Sequence, residues 1–347
     1  MSRRKKKLLL IIGIVVIIAL AVVAFVLASR YERSRDIAPE GAGSAPNRVN
    51  LSGEPMSPDG EDQHAASIFY NGQEYIYNEN LSALLILGID DAALVETDSS
   101  RNKSQADMIL LAVFDPDRER CTLLQINRDT MSEVPVLDSF GKFVRYKVEQ
   151  LALAHTYGNG LEKSCENTVD AISRFLYGVQ IENYFAFTMD AIPILNDLFG
   201  GVTVTIEDDF SNVDPTLVKG TTVTLTSENV ENYVRARMNM TEDPTNINRM
   251  KRQRAYLTGL GEAMKKAFAE DPSYVFDNYS ALSGSLVTDC SVNQMSDYAD
   301  RFSGYTISAI VTPEGESVPG EKFMEFYVDE EALQQLVIDT FYVPVDG

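Results

Sequence analysis

The sequence predicts an α/β domain, with helices on both sides of a sheet, that follows a single membrane-spanning helix. The 347-residue chain carries a long apolar run near its N-terminus, Leu8–Ala28. Beyond residue 80, nearly continuous apolar runs alternate with segments of helical periodicity. Such alternation is typical of a sheet covered by helices, and the continuous apolar runs are typical of strands buried on both faces.

The N-terminal run predicts a retained membrane anchor. Leu8–Ala28 contains no charged residue, and at about 1.5 Å per residue it is long enough to cross a hydrocarbon core of about 30 Å. Five basic residues at 3–7 precede it, which favours a cytoplasmic N-terminus and an extracellular C-terminal domain. A cleaved signal peptide is the alternative, but Arg30, Arg33 and Arg35 stand where a cleavage site needs small residues. We therefore predict a single-pass protein of the cell membrane.

Charge and composition exclude several function classes. The chain has a net charge of −21, and because the first 35 residues carry +7, the remainder carries −28. A chain this acidic repels phosphate unless it has a local basic site, so nucleic acid is not a predicted partner. The three cysteines are widely spaced, which argues against a zinc ribbon or a redox pair. His155 is predicted to be a packed or surface residue and Cys165 a small core residue, neither with a catalytic role.

The predicted organisation has five parts. Residues 36–66 are rich in Gly, Pro, Ser and acids and lack apolar periodicity, as in a disordered spacer. The parts are a cytoplasmic tail at 1–7, a transmembrane helix at 8–28, an extracytoplasmic spacer at 29–79, a core at 80–270 and a C-terminal extension of the same domain at 271–347.

The pattern within the domain predicts its elements in order. Predicted strands are Leu81–Gly88, Met108–Phe114, Cys121–Ile126, Tyr184–Thr188, Val202–Ile206 and Thr306–Val311. Predicted helices lie around Val148–Ala154, Cys165–Leu176, Ala191–Leu198, Ser227–Arg235, Met250–Phe268, Val292–Phe302 and Glu330–Phe341.

Acidic residues flank the first two predicted strands. Asp90 and Asp91 follow the first strand, and Asp107 precedes the second. If the two strands are antiparallel, Asp90 and Asp107 converge at one sheet edge. Paired carboxylates in a chain with few histidines suit a hard ion such as Mg²⁺. The alternative is that these acids are ordinary turn and surface residues.

A basic run in the acidic domain predicts an anion site. Arg128 follows the third strand, and Arg235 and Arg237 frame the end of a short helix. Arg249 and Gln253 are four residues apart and share a helix face with Arg252. Arginine pairs with phosphate oxygens through two parallel hydrogen bonds. The alternatives are a salt-bridge partner at Arg128 and a solvated helix face for the run.

The motifs in this order resemble the LytR-CpsA-Psr family of cell-wall assembly proteins. They read LLILGIDD, ADMILLAVF, TLLQINRDT, YKVEQLALAHTYG, FGGVTVTI, ENVENYVRAR and NRMKRQR, between about Leu84 and Leu260. The resemblance implies a three-layer α/β/α sandwich with a central mixed sheet. It also implies a Mg²⁺-dependent phosphotransferase that moves a glycopolymer from a polyprenyl pyrophosphate carrier at the membrane to peptidoglycan.

The resemblance also assigns roles to individual residues. By matching motifs, Asp90, Asp107 and Arg128 are implied to be catalytic, and the two aspartates to hold the metal. The residues implied to bind pyrophosphate are Arg128, Lys147, Arg235, Arg237, Arg249 and Gln253.

Three departures from the family pattern lie beside these residues. Ser104–Asp107 reads SQAD where the family has R-S-D, so one basic contact is missing. Asn127 replaces a proline, and Asn246 replaces an aspartate. The second hypothesis is therefore a catalytically weak or inactive ectodomain that binds lipid or wall, or acts as a sensor. A transcriptional regulator is the third hypothesis, and it is disfavoured because an acidic, outward-facing domain lacks a surface for DNA.

Overall fold

A computed structural model describes most of the chain from residue 50 onward. The described residues are 50–53, 56, 64–91, 93–94, 96–97, 101–236, 246–270, 283–291, 294, 298, 301 and 305–345. The predicted anchor at 8–28 lies outside them, as does most of the predicted helix near 292–302. Within the described ranges, no helix is both long and apolar enough to cross a membrane.

The described chain forms fifteen strands and five α-helices. The strands are β1 Ser67–Tyr70, β2 Gln73–Tyr77, β3 Ser82–Ile89, β4 Ala106–Asp115, β5 Arg120–Ile126, β6 Met131–Leu137, β7 Phe143–Gln150, β8 Asn183–Thr188, β9 Thr203–Thr205, β10 Thr222–Thr224, β11 Leu286–Thr288, β12 Thr306–Val311, β13 Gly315–Pro319, β14 Met324–Val328 and β15 Tyr342–Pro344. The helices are α1 Glu162–Phe175, α2 Ala191–Leu198, α3 Val230–Arg235, α4 Asn246–Glu270 and α5 Glu330–Phe341, with 3₁₀ helices at Leu151–Thr156 and Ser283–Ser285.

The central sheet has six strands in the order β11-β8-β3-β4-β5-β12. It is mixed, because β3 pairs in parallel with β8 and β5 with β12, while the remaining neighbours are antiparallel. The first two long strands, β3 and β4, are antiparallel, which is the condition under which Asp90 and Asp107 are expected to converge. Strands β11 and β12 come from the C-terminal part, so that part completes the sheet of the core.

Apolar residues on the two faces of the sheet form two separate cores. On β3, Leu84 and Ile86 pack on one side with Tyr256 and Leu260 of α4. Leu85 and Leu87 pack on the other side with residues of α1 and α5. Because helices cover both faces of the sheet, β3 is apolar at nearly every position and not only at every second one. The predicted three-layer α/β/α arrangement is therefore confirmed for the described chain.

The folded part begins earlier than the predicted boundary at residue 80. Strands β1 and β2 form a hairpin within the predicted spacer, and β15 pairs with β2. Ile68 and Tyr77 are buried against Phe341 and Tyr342 from the C-terminus. The spacer assignment of 67–77 is corrected, because its core partners lie more than 250 residues away in the sequence.

The predicted helix around Val148–Ala154 is also corrected. Strand β7 continues to Gln150, and only the following six residues, Leu151–Thr156, turn into a 3₁₀ helix. The strand is held by pairing with β6, from Met131↔Gln150 to Leu137↔Phe143. Apolar residues spaced by three at the end of a strand imitate the helical period, so the local pattern was ambiguous.

His155, predicted to be either packed or at the surface, is buried. Its imidazole Nδ1 lies 3.0 Å from the Ser104 carbonyl oxygen, and its Nε2 lies 3.8 Å from the Cys165 Sγ. Burial lowers the pKa of His155 to about 4, although the Ser104 carbonyl and the charge of Asp91 act in the opposite direction. Burial also raises the pKa of the Cys165 thiol, so the pair cannot supply the thiolate that a nucleophile requires.

The buried imidazole makes the fold sensitive to acid. Its pKa is about 6.5 when unfolded and about 4 when folded, so the unfolded chain binds more protons between these values. We expect His155 to cost about 3 kcal/mol of stability as pH falls through this window. The measurement is the free energy of unfolding of wild type and His155→Gln from pH 7 to 4. A difference between them that does not change with pH would contradict the prediction.

Candidate active site at the edge of the central sheet

Asp107 occupies a β-bulge at the edge of the sheet. Gly88 faces Met108 and Ile89 faces Ala106, so Asp107 is an extra residue between two paired positions. A bulge redirects a side chain and is common beside active sites. Asp90 follows directly on the neighbouring strand, and its backbone N–H donates to the Gln105 carbonyl oxygen at 2.8 Å. The structure thus brings Asp90 and Asp107 to the same sheet edge.

Two arginines from distant segments share the Asp107 carboxylate. Arg128 donates to Oδ1, and Arg249 Nη1 donates to Oδ2 at 2.8 Å. Arg128 lies after β5 and Arg249 near the start of α4, and both are almost fully buried. The Arg128 Nε also lies 3.3 Å from the Asp129 carboxylate. Buried guanidinium groups need such partners, because an unpaired buried charge is costly.

Arg235 forms a second ion pair nearby. At the end of α3, its guanidinium pairs with both Asp90 and Glu231. The Arg235 and Asp90 side chains are 41% and 34% exposed, so this pair is accessible to a ligand from solvent. The other member of the predicted pair, Arg237, lies outside the described residues.

An apolar cavity adjoins the charged cluster. Asp107, Arg235 and Gln253 are among its lining residues. The cavity lies between β3, β4 and β8 on one side and α2, α3 and α4 on the other. Its apolar walls include Ile86, Met108, Phe187, Ile192, Leu195 and Leu260. The arrangement can hold a molecule with an anionic group at one end and a hydrocarbon portion at the other.

Lys147 lies on β7, in a different set of contacts from the arginines just described. Its ammonium pairs with Glu149, which also accepts from the Tyr157 hydroxyl at 3.3 Å. The Arg101 guanidinium stacks on the Tyr157 ring, 3.8 Å from the ring centroid. The expectation that Lys147 precedes a helix is wrong, since strand β7 runs through this position.

The basic run on α4 divides into two groups. Arg249 and Gln253 face the site, whereas Arg252 donates to the Tyr233 carbonyl oxygen at 2.9 Å and pairs with Asp208. Arg254 donates to the Gln125 side chain at 3.1 Å. All three arginines are almost fully buried. The alternative of a solvated helix face is therefore wrong, and Arg252 and Arg254 attach α4 to the rest of the domain.

The three departures from the family pattern meet in the same cluster. The Gln105 side-chain oxygen accepts from Arg128. Asn246 Nδ2 donates to Asn127 Oδ1 at 2.9 Å, and Asn246 Oδ1 accepts from Arg249 Nε at 2.8 Å. An amide bridge thus connects the loop of Arg128 to the guanidinium of Arg249. The sequence marked these positions as unusual but gave no sign that they contact one another.

The donor set fits a divalent cation that binds together with a phosphate ligand. The three arginines Arg128, Arg235 and Arg249 are balanced by the carboxylates of Asp90, Asp107 and Asp129. A pyrophosphate ligand would add negative charge that a divalent ion can offset. Mg²⁺ commonly uses one or two carboxylates with phosphate oxygens and water. Among the described residues, no group of three or more acidic, His or Cys side chains is placed to hold a metal alone.

Comparison with known proteins agrees with this architecture. The chain is 26% identical over 237 residues to the polyisoprenyl-teichoic acid–peptidoglycan teichoic acid transferase TagU of Enterococcus faecalis (strain ATCC 700802 / V583), covering 66% of this chain and 70% of the relative. The structure of TagT bound to LI-WTA has a TM-score of 0.56 at 19% identity, covering 84% of this chain and 98% of TagT. TagV of B. subtilis has a TM-score of 0.55 at 20% identity, covering 76% and 98%.

These two structures show the fold, and the family follows from the sequence. The LytR_cpsA_psr family matches residues 54–339, which include every described residue of the charged cluster and the cavity. The match covers far more than half of the chain. The protein belongs to the LytR_cpsA_psr family.

Proposed function

We propose that the protein is a membrane-anchored, extracytoplasmic phosphotransferase that moves a glycopolymer from a polyprenyl pyrophosphate carrier to peptidoglycan. The observation that carries the proposal is the position of the ion-paired arginines beside an apolar cavity. A lipid pyrophosphate has the matching composition, an anionic head joined to a hydrocarbon chain. The transferase name of the Enterococcus relative supports the same reaction class.

The arginines would act by holding the pyrophosphate. A hydroxyl oxygen of peptidoglycan forms a bond to the phosphorus next to the sugar, and the bond from that phosphorus to the bridging oxygen breaks. Polyprenyl phosphate leaves with the electron pair, and the hydroxyl proton passes to a base. Arg128 and Arg249 are fixed by Asp107 before substrate arrives, so little reorganisation is needed to stabilise the charge that develops.

Mg²⁺ is part of the proposal. Asp90 and Asp107 would hold it together with phosphate oxygens, and when bound it would offset negative charge on the pyrophosphate. Arg235, which pairs with Asp90, would contribute positive charge beside the same phosphate.

Removal of a single charged residue of the cluster should strongly slow transfer. In detergent-solubilised full chain, we expect Arg128→Ala and Asp90→Ala to lower the release of polyprenyl phosphate by roughly 10²–10³-fold, because each removes a charge that stabilises the reacting phosphates. Release from a lipid-linked saccharide with peptidoglycan fragments is followed by mass spectrometry. Lys251→Gln removes an exposed cation on α4; it is the control for loss of one charge and should remain active. Tight lipid binding without any release by wild type would support the inactive binding domain instead.

Removal of divalent ions tests the metal separately. We expect EDTA to stop polyprenyl phosphate release and added Mg²⁺ to restore it, since the pyrophosphate charge would otherwise be only partly balanced. The same assay is run with Zn²⁺ and Ca²⁺ as comparisons. Unchanged turnover in EDTA would show that the arginines act without a metal.

The amide bridge between Asn127 and Asn246 should make the contributions of these two residues to stability and to donor binding depend on each other. In Asn127→Ala, the Asn246 amide and the Asp129 N–H each lose an acceptor, so we expect a loss of about 1–3 kcal/mol of stability. Asn246→Ala should cost a similar amount, and the double variant less than the sum. A double-mutant cycle, measured by urea unfolding and by the KM for the lipid donor, checks this. Strictly additive changes in both quantities would rule out the coupling.

A further inference from the structure

The distal part of the β6–β7 hairpin, residues 138–148, is an exposed segment of basic and apolar residues in an acidic protein. Within residues 138–148 there are three basic residues and one acid, whereas the chain beyond residue 35 carries −28. The Phe140 ring at the tip is 86% exposed, and Val144 and Val148 are 56% and 39% exposed. Lys142 and Arg145 are exposed between these apolar residues.

The tip holds Phe140 in a fixed turn. The Asp138 carboxylate accepts from the backbone N–H groups of Phe140 at 2.8 Å and Lys142 at 3.0 Å. The Asp138 N–H donates to the Lys142 carbonyl oxygen at 2.8 Å, and Gly141 takes a φ of 72°, which glycine adopts without strain. Because the turn is already ordered, binding through the Phe140 side chain costs little further conformational entropy.

The base of the hairpin is attached to the candidate site. The Ala152 N–H donates to the Arg128 carbonyl oxygen at 3.0 Å, and the Leu151 N–H donates to Thr130 at 2.9 Å. Strand β6 has seven residues, so the tip stands roughly 20–30 Å from Arg128. A contact at the tip would therefore fix the distance and the orientation of the candidate site relative to the surface that the tip contacts.

We propose that this hairpin docks on the surface of an anionic membrane. Phe140 enters the interfacial region, while Lys142 and Arg145 lie against lipid phosphates. Charge complementarity selects this occupant, because an acidic body is repelled by anionic lipid everywhere except at a basic element. The exposed apolar tip distinguishes a bilayer from a soluble polyanion, which offers nothing for Phe140 to enter.

This inference rests on the proposed function, including its membrane anchor. It adds a way in which the site is positioned relative to the bilayer. Docking at the tip would hold the cavity at a constant distance from the bilayer that supplies the lipid-linked donor. The inference adds a second, reversible membrane contact to the anchor.

A fluorophore at the tip tests the contact in the full chain. Ser139→Cys is labelled with a polarity-sensitive dye, and the native cysteines Cys121, Cys165 and Cys290 are buried. The labelled protein is reconstituted into vesicles of phosphatidylcholine with or without phosphatidylglycerol. Ser211→Cys, in an exposed loop beside Asp209, is the control label.

We expect a blue shift and quenching by spin-labelled lipid for the tip label in anionic vesicles, and neither for the control label. Lys142→Gln with Arg145→Gln should lower the ratio of docked to undocked tips roughly 30-fold. Phe140→Ser should remove the lipid quenching without unfolding, because the side chain is already solvated. High salt should weaken docking.

Three results would overturn the inference. One is a tip signal equal in neutral and anionic vesicles, and another is a signal unaffected by both sets of substitutions. The third is a blue shift produced by soluble poly(glycerol phosphate) without any quenching by lipid, which would assign the hairpin to a polyanion. Flotation of the chain with vesicles and polyprenyl phosphate release are measured in parallel. If the chain still floats with vesicles and still releases polyprenyl phosphate, but the tip label gives no signal, the docking proposal is wrong and the proposed function stands.

Discussion

The ion-paired carboxylate of Asp107 is the constraint on which the site depends. It accepts from Arg128 and Arg249, and its side chain is 12% exposed. Without it, two buried guanidinium groups would lose their shared counter-charge, at a cost of several kcal/mol. The carboxylate also joins three segments, namely the bulged start of β4, the loop after β5 and the first turn of α4. The position of the sheet edge and the positions of both arginines are therefore linked through this carboxylate.

The same cluster explains how the chain tolerates its departures from the family pattern. Gln105 supplies a neutral acceptor to Arg128 where the family pattern has a positive charge, and Asn246 supplies a neutral acceptor to Arg249 where the pattern has a negative one. The two changes offset each other in charge. Asn127 then gives the Asn246 amide an acceptor that proline would lack. The three altered residues therefore contact the site arginines or one another.

Much of the fold follows from local patterns. Helices α2 and α5 and strand β12 have the predicted bounds, because their apolar periodicity and flanking turn residues agree. The β1–β2 hairpin was missed, since its strands are short and half exposed, and its partners β15 and Phe341 come from the other end of the chain. The β6–β7 hairpin was mistaken in part for a helix, because only pairing across strands fixes its register.

By itself, the sequence determined the α/β class, the acidic domain with a basic run, and the candidate residues Asp90, Asp107, Arg128, Arg235 and Arg249. Residue types and strand ends carry that information locally. Only the tertiary structure decided which cations share a carboxylate, that Arg252 and Arg254 are buried in structural contacts, and that Lys147 pairs with Glu149. Helical spacing places Arg249 and Arg252 on one side of α4, but packing against two different neighbours gives them different partners. Contacts between distant segments depend on packing and register, which short patterns do not encode.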